Sequence, residues 1–218
     1  MEIEQTAVPD AYRVLPRLIS DARGSFFESF KYRELARSTG HVFRPLQVNY
    51  SVSVKDTVRG LHGVLIPPGQ AKFVTCVRGV LLDVVVDLRL GSPTFGVHDT
   101  TLLDAHRGTA VYVAEGLVHG FVAMTDDACI SYLCSTPFVP GTQFEVQPFD
   151  PELGLPWGAG LGGEPLLSEK DLAAPTVRQA ADRGLLADYG DCRALYARQR
   201  REQGADGVLE WRDEAGRP

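Results

Sequence analysis

Residues 80–89, Val-Leu-Leu-Asp-Val-Val-Val-Asp-Leu-Arg, limit what this chain can become more than any other stretch. In an extended chain Val80, Leu82, Val84, Val86 and Leu88 fall on one face. Asp83, Asp87 and Arg89 fall on the other, with Leu81 and Val85 between them. A period of two marks a strand, whereas a helix would scatter these side chains around its axis. Just upstream lie Arg59-Gly60-Leu61-His62, a Pro67-Pro68-Gly69 turn and Lys72. Arg59 and Lys72 suit an anionic ligand, and His62 can exchange a proton near neutral pH.

The same grammar extends outward. Residues 3–19 read as extended, interrupted by Pro9 and Pro16, and residues 21–24 read as a turn. Residues 25–30 then form a short strand carrying Glu28. Residues 31–38 fit a brief helix closed by Gly40, with Tyr32, Leu35 and Ala36 on one side. Residues 44–54 alternate again and include Gln47 and Asn49. From 57 to 148 short strand patterns are cut by turns such as Arg78-Gly79, Gly91-Ser92-Pro93, Glu115-Gly116 and Pro140-Gly141, with no helical period between them. That spacing predicts a mainly β sandwich or barrel. After Asp150 proline and glycine become frequent, which suits a loop laid over the barrel. A helix is expected from near Pro175 to Gly184, and residues 197–218 read as a short surface helix or a frayed tail. Residues 1–165 are thus expected to form the barrel, and 166–218 an appended segment that is not an independent domain.

Composition narrows the partners. With 218 residues, 44% hydrophobic and 23% charged, the chain can bury a core of its own. A net charge of −6 gives no global basic field for nucleic acid, so an anionic ligand must be met by a local Arg/Lys cluster. The four cysteines lack Cys-x-x-Cys spacing and read as free thiols in a reducing compartment. The acidic N-terminus has no hydrophobic leader pattern, and no apolar run approaches membrane-spanning length. The expectation is a cytoplasmic protein with no nucleic acid or membrane partner.

Acid–base chemistry is what the remaining polar residues can support. His41, His62, His98, His106 and His119 form no His-x-His pair with a following Glu, so no metal site is expected. Gly116-Leu117-Val118-His119-Gly120 lacks the serine of a nucleophile elbow, and no phosphate-binding glycine loop is present. A base at His62, an acid at Tyr132 and an oxyanion-stabilising Lys72 would suffice to move a proton next to a ketone. The same His and Tyr would also fit a satisfied barrel interior, because buried polar tips need hydrogen-bond partners. On the residues alone both readings stand.

Several segments together resemble the dTDP-4-dehydrorhamnose 3,5-epimerase family. They are Asp21-Ala22-Arg23-Gly24-Ser25-Phe26-Phe27-Glu28, Gln47-Val48-Asn49-Tyr50-Ser51, Arg59-Gly60-Leu61-His62, Val113-Ala114-Glu115-Gly116 through Phe121, Asp150-Pro151-Glu152-Leu153 and Leu167-Ser168-Glu169-Lys170-Asp171. The likeness runs over about residues 8–172 and implies a cupin-type (jelly-roll) β-barrel with a few short peripheral helices. It also implies a homodimer with a swapped or shared N-terminal strand, acting on a dTDP-linked 4-keto-6-deoxy sugar without metal or cofactor. By the resemblance His62 is the base, oriented by Asp171, Tyr132 returns a proton to the opposite face, and Lys72 stabilises the enolate oxygen. Arg23 and Arg59 would meet the diphosphate, while Glu28, Gln47, Asn49 and His119 would line the pocket. Arg78, Asp83, Asp87 and Arg89 also match, but read as structural strand residues.

Gly63 departs from the aromatic that many relatives carry after this histidine, and is expected to remove bulk beside the base. Pro67-Pro68-Gly69-Gln70-Ala71-Lys72 and Arg183-Gly184-Leu185-Leu186 resemble the antibiotic-sugar branch, whose members invert C3, C5 or both. A sugar-nucleotide-binding barrel without catalysis and a ketoisomerase are the alternatives. The joint presence of His62, Tyr132 and Asp171 favours epimerisation, because binding alone needs no acid and base.

Overall fold

The computed structural model describes residues 1–205. Its short strands are β1 (Glu2–Gln5), β2 (Ala11–Leu15), β3 (Ile19–Asp21) and β4 (Gly24–Phe26), followed by helix α1 (Tyr32–Thr39). Then come β5 (Gln47–Ser53), β6 (Val58–Val64), β7 (Lys72–Arg78), β8 (Val80–Val86), β9 (His98–Asp104) and β10 (Ala110–Val113). The series ends with β11 (Val118–Ala123), β12 (Ala128–Cys134) and β13 (Gln143–Glu145), and helices α2 (Glu169–Leu172), α3 (Val177–Asp182) and α4 (Tyr189–Ala205). One sheet has the order β1-β2-β10-β7-β12-β5 and the other β13-β6-β11-β8-β9, with β3 and β4 a separate hairpin. From β5 onward the chain crosses between the sheets at every connection except β8–β9, the jelly-roll way of burying two antiparallel sheets against each other.

The strand alternation sorts the apolar residues into two clusters. Leu81, Val85, Leu103 and Phe121 of the second sheet meet Val74, Val111 and Ile130 of the first, which fills the barrel. Leu82, Val84, Val86, Val118 and Val122 point the other way, where Trp157, Val177, Ala180 and Leu186 cover them. Strand β8 is therefore buried on both faces. The strand ends at Val86, and Asp87 and Arg89 lie just beyond it in a buried ion pair. The C-terminal segment is the outer lid of this sheet. Val58 N–H donates to Leu166 O at 2.9 Å, and Leu166 N–H donates to Asp56 O at 2.9 Å, so the segment is stitched to the start of β6.

Local signals explain the helix ends. Gly40 closes α1 in the left-handed region at φ 71°, its N–H reaching Ala36 O at 2.9 Å. Thr176 caps α3 with a reciprocal bond to Gln179, and Gly184 lies just past its end. Two expectations need correcting. The strand after the Asp21 turn stops at Phe26, so Glu28 lies outside it, because the chain turns to pack Phe30 on Phe43 and Phe73. The helix expected from residue 197 begins earlier than that: α4 starts at Tyr189, its first half buries Cys192, Leu195 and Tyr196, and residues 197–202 lie at its exposed or half-exposed end. The last part of the expected tail, residues 206–218, lies outside the described residues.

Candidate active site

A bulge in β6 creates the site. Arg59 and His62 are three residues apart, so a regular strand would send them to opposite faces. Opposite β11 the register slips between His119↔His62 and Phe121↔Arg59. Gly60 takes up the slip at φ 116°, and a Cβ there would come within 2.7 Å of Gly120 Cα and His119 O. Glycine is thus required both for the conformation and for the close approach. Arg59 and His62 both end up lining one hollow of ≈ 260 Å³ inside the barrel. A wider hollow of ≈ 580 Å³ shares Arg59, His62 and Lys72 and runs out to Lys170 and Asp171.

The facing wall comes from the first sheet. Odd residues of β5 face inward, so Gln47, Asn49 and Ser51 line the hollow, while Val48, Tyr50 and Val52 face out and are exposed. Gln47 Nε2 donates to Asn49 Oδ1 at 2.8 Å, and Gln47 Oε1 accepts from Phe138 N–H at 2.8 Å. Tyr132 of β12 and Lys72 of β7 complete the floor. His62 and Tyr132 therefore enter one cavity from opposite sheets.

Electrostatics distinguish these groups. His62 Nε2 lies 2.8 Å from Asp171 Oδ1, across 109 positions of sequence. Ser168 caps the short α2, accepting from Asp171 N–H at 3.1 Å and donating to Asp171 Oδ2 at 2.8 Å. Burial works to raise the Asp171 pKa, but hydrogen bonds from His62 and Ser168 outweigh it and hold the carboxyl below its ordinary range. Burial pushes the Tyr132 phenol up, so it keeps its proton at neutral pH. Burial pulls the Lys72 ammonium down, opposed by the negative charge of Asp83. Arg59 Nε donates to Ser53 Oγ at 3.1 Å, and the guanidinium forms no ion pair among the described residues.

The structure brings together His62, Tyr132, Lys72, Asp171, Arg59, Gln47, Asn49 and His119. It does not bring Arg23 or Glu28 to that pocket in the single chain. Arg23 sits at the tip of the β3–β4 hairpin with its side chain 89% exposed, paired to Asp21 at 2.5 Å. Glu28 pairs with Lys31 at 2.5 Å. His119 does line the cavity, but its Nε2 is hydrogen-bonded to Asp83, whose strand position had suggested a structural role. Gly63 also differs from expectation. It faces away from His62, and a Cβ there would lie 2.2 Å from the ring of Phe144, so that ring fills the space behind the base. Ser51, Phe138 and Gln143 were missed. The β5 alternation already implied Ser51, whereas Phe138 lies in an irregular loop that carries no periodic signal. Among the described residues no group of three or more His, Cys, Asp or Glu could hold a metal ion.

A jelly-roll barrel with a His–Asp pair, a protonated Tyr and unpaired cations around an internal cavity defines a protein equipped for acid–base chemistry on an anionic ligand. Comparison with known proteins makes that class specific. Residues 5–179 match the family model described as dTDP-4-dehydrorhamnose 3,5-epimerase. A dTDP-4-dehydrorhamnose 3-epimerase of Streptomyces niveus is 44% identical over 195 residues, covering 89% of this chain and 93% of the relative. A 4-keto-6-deoxy sugar epimerase from the novobiocin biosynthetic gene cluster of Streptomyces spheroides superposes with TM-score 0.84 at 44% identity, over 88% of this chain and 95% of that one. A 3'-monoepimerase from Streptomyces bikiniensis in complex with dTDP-quinovose gives TM-score 0.85 at 43% identity, over 90% and 98%. The chain belongs to the dTDP-4-dehydrorhamnose 3,5-epimerase family, and so to a family of isomerases.

Proposed function

We propose that this protein inverts C3, C5 or both of a dTDP-linked 4-keto-6-deoxyhexose, in making a deoxysugar for a secondary metabolite. The observation that carries the reading is the entry of the His62–Asp171 pair and of Tyr132 into one cavity from opposite sheets, with the Lys72 ammonium beside them. A C4 ketone acidifies the hydrogens on C3 and C5. With Nε2–H donating to Asp171, the other ring nitrogen of His62 is free to take such a proton. The electron pair left on carbon moves into the enolate oxygen, where Lys72 supplies a positive charge in a low-dielectric site. The Tyr132 hydroxyl then protonates the same carbon from the far side, and the centre is inverted. Electrons are neither gained nor lost overall. Arg59, with donors to spare, fits the diphosphate, and Gln47, Asn49 and His119 fit the nucleotide and sugar.

We further infer that the protein works as a cytoplasmic homodimer. Leu18, Ile19 and Phe26 of the hairpin region are exposed, as are Val48, Tyr50, Val52 and Val54 along the edge strand β5. Such exposed apolar side chains on the sheet's edge strand fit a second copy better than water. In that arrangement the hairpin would carry Arg23 and Glu28 to the second copy's cavity. Residues 166–205 belong to the same unit as the barrel, a reading supported by the packing of Val177, Ala180 and Leu186 on β8 and β11.

The test is proton NMR of dTDP-4-keto-6-deoxyglucose with the enzyme in deuterium oxide. Deuterium entering C3, C5 or both, followed by inverted coupling constants, is the expected result for the wild type. His62→Ala should exchange at least about 100-fold more slowly while keeping its circular dichroism spectrum. Wild-type turnover in His62→Ala would rule out His62 as the base.

A further inference from the structure

Asp83 stands out among the polar residues that the proposed chemistry leaves unused. It lies in β8 between Leu81 and Val85, both of which fill the barrel, so a third apolar side chain would suit the position. Instead a carboxylate is buried there, with 1% of its surface exposed. Oδ2 is hydrogen-bonded to His119 Nε2, while Oδ1 has no hydrogen-bond partner among the described residues. A half-satisfied buried carboxylate is a poor structural device and needs another reason to be present. His119 itself stands edge-on to Tyr132, ring centroids 6.2 Å apart at 87°, and faces His62 across the β6–β11 ladder.

The charges around Lys72 supply that reason. Arg59 and His62 reach the cavity from β6, His119 from β11, and Tyr132 and Cys134 from β12. The lining of the inner hollow contains no Asp or Glu. Asp171 is taken up by His62 and Ser168, and Glu145 is ion-paired with Lys170. Asp83, directly behind His119, is thus the carboxylate left to balance Lys72 from within the barrel. We propose that Asp83 is the fixed counter-charge of the site: it locks the His119 ring through Nε2 and balances the unpaired Lys72 from within the barrel. Its field opposes the downward pull of burial on Lys72 and also helps keep the Tyr132 phenol protonated. Asp83 is a positioning residue in this account, since it acts through His119 and Lys72. The role rests on the proposed enolate chemistry, but its physical core, the charge state of Lys72, can be read without turnover.

The experiment is competitive acetylation with acetic anhydride across a pH series, reading Lys72 by mass spectrometry in wild type, Asp83→Asn and Asp83→Ser. The alkaline midpoint of Lys72 should fall by about one pH unit in either variant, as expected on losing a nearby opposite charge. The alkaline limb of deuterium exchange should fall with it, while the acid limb stays in place. An unchanged Lys72 midpoint in a folded variant would overturn the proposal. So would failure of both variants to reach the wild-type circular dichroism spectrum, because Asp83 would then be a folding residue. A shifted midpoint in an enzyme whose wild type exchanges no deuterium would uphold Asp83 and sink the epimerase reading instead.

Discussion

Arg89 and Lys72 are both cations of the barrel interior, yet their surroundings differ completely. Arg89 is 0% exposed and all its donors are used. Its Nε and Nη2 form a fork on Asp87 at 2.9 Å each, and Nη1 meets Asp10 Oδ2 at 2.7 Å. Nη2 also reaches Pro9 O at 3.1 Å, and Nη1 reaches Tyr196 OH at 3.4 Å. One guanidinium therefore ties together the N-terminal segment, the end of β8 and α4. Lys72 makes no side-chain hydrogen bond or ion pair among the described residues, and opens onto a cavity. The pKa directions follow: the carboxylates push Arg89 up past the opposing effect of burial, while burial brings Lys72 down. A buried charge whose partners are all in place holds the fold together, and one left without a partner is held ready for something that arrives.

That contrast breaks most sharply under substitution. Arg89→Met should strip the buried Asp87 carboxylate of its cation, take one partner from Asp10 and cost about 3–5 kcal/mol of stability, seen as a large loss in denaturant midpoint or as insoluble protein. If Arg89→Met melted like the wild type, the network would not be the clamp described. Lys72→Met should do the reverse. Its stability should stay within about 1 kcal/mol of the wild type, while turnover falls about 10²–10³-fold, the usual loss for a missing oxyanion stabiliser. Equal losses of turnover and stability would erase the distinction between the two cations.

The smallest effect sharpens the comparison through pH. Burial tends to raise Asp10, but hydrogen bonds from His41 and Arg89 outweigh it and hold the carboxyl at about 2, below its ordinary value of 3.8. A carboxyl with a depressed folded-state pKa adds stability above the unfolded value and loses it as pH falls through the folded one. Stability measured by denaturant titration should therefore drop between about pH 4 and pH 2, by about 2 kcal/mol for this group. Asp171 shifts in the same direction and adds to the same slope. Conserving the slope in Arg89→Met would mean that Arg89 does not set it.

Local pattern made much of this fold legible. Alternation at 80–86, the Gly40 and Gly184 stops and the turn at residues 21–24 all appear where short-range rules put them. The failures have physical causes. Period two put Asp83, Asp87 and Arg89 on one face but could not tell what covers them, because it reports which residues share a face and says nothing of their partners. Gly63 seemed to open space beside the base, yet the aromatic ring that fills its place comes from Phe144 on a neighbouring strand. Tyr196 carried no local signal at all, yet its hydroxyl meets Arg89 and Glu115 far back in the chain.

The sequence by itself determined the strand-and-turn grammar, the excess of negative charge and the supply of acid, base and cation, since each depends on residue type and near-neighbour spacing. Only the tertiary structure decided which of these meet. Arg59 and His62 share a cavity because a bulge at Gly60 breaks the period of two. His62 finds Asp171 because residue 166 is stitched to the start of β6. Lys72 and Arg89 have similar side-chain charge, and what separates a clamp from a reagent is whether the fold delivers partners to it. Partners arrive across long stretches of chain, where local rules have no reach.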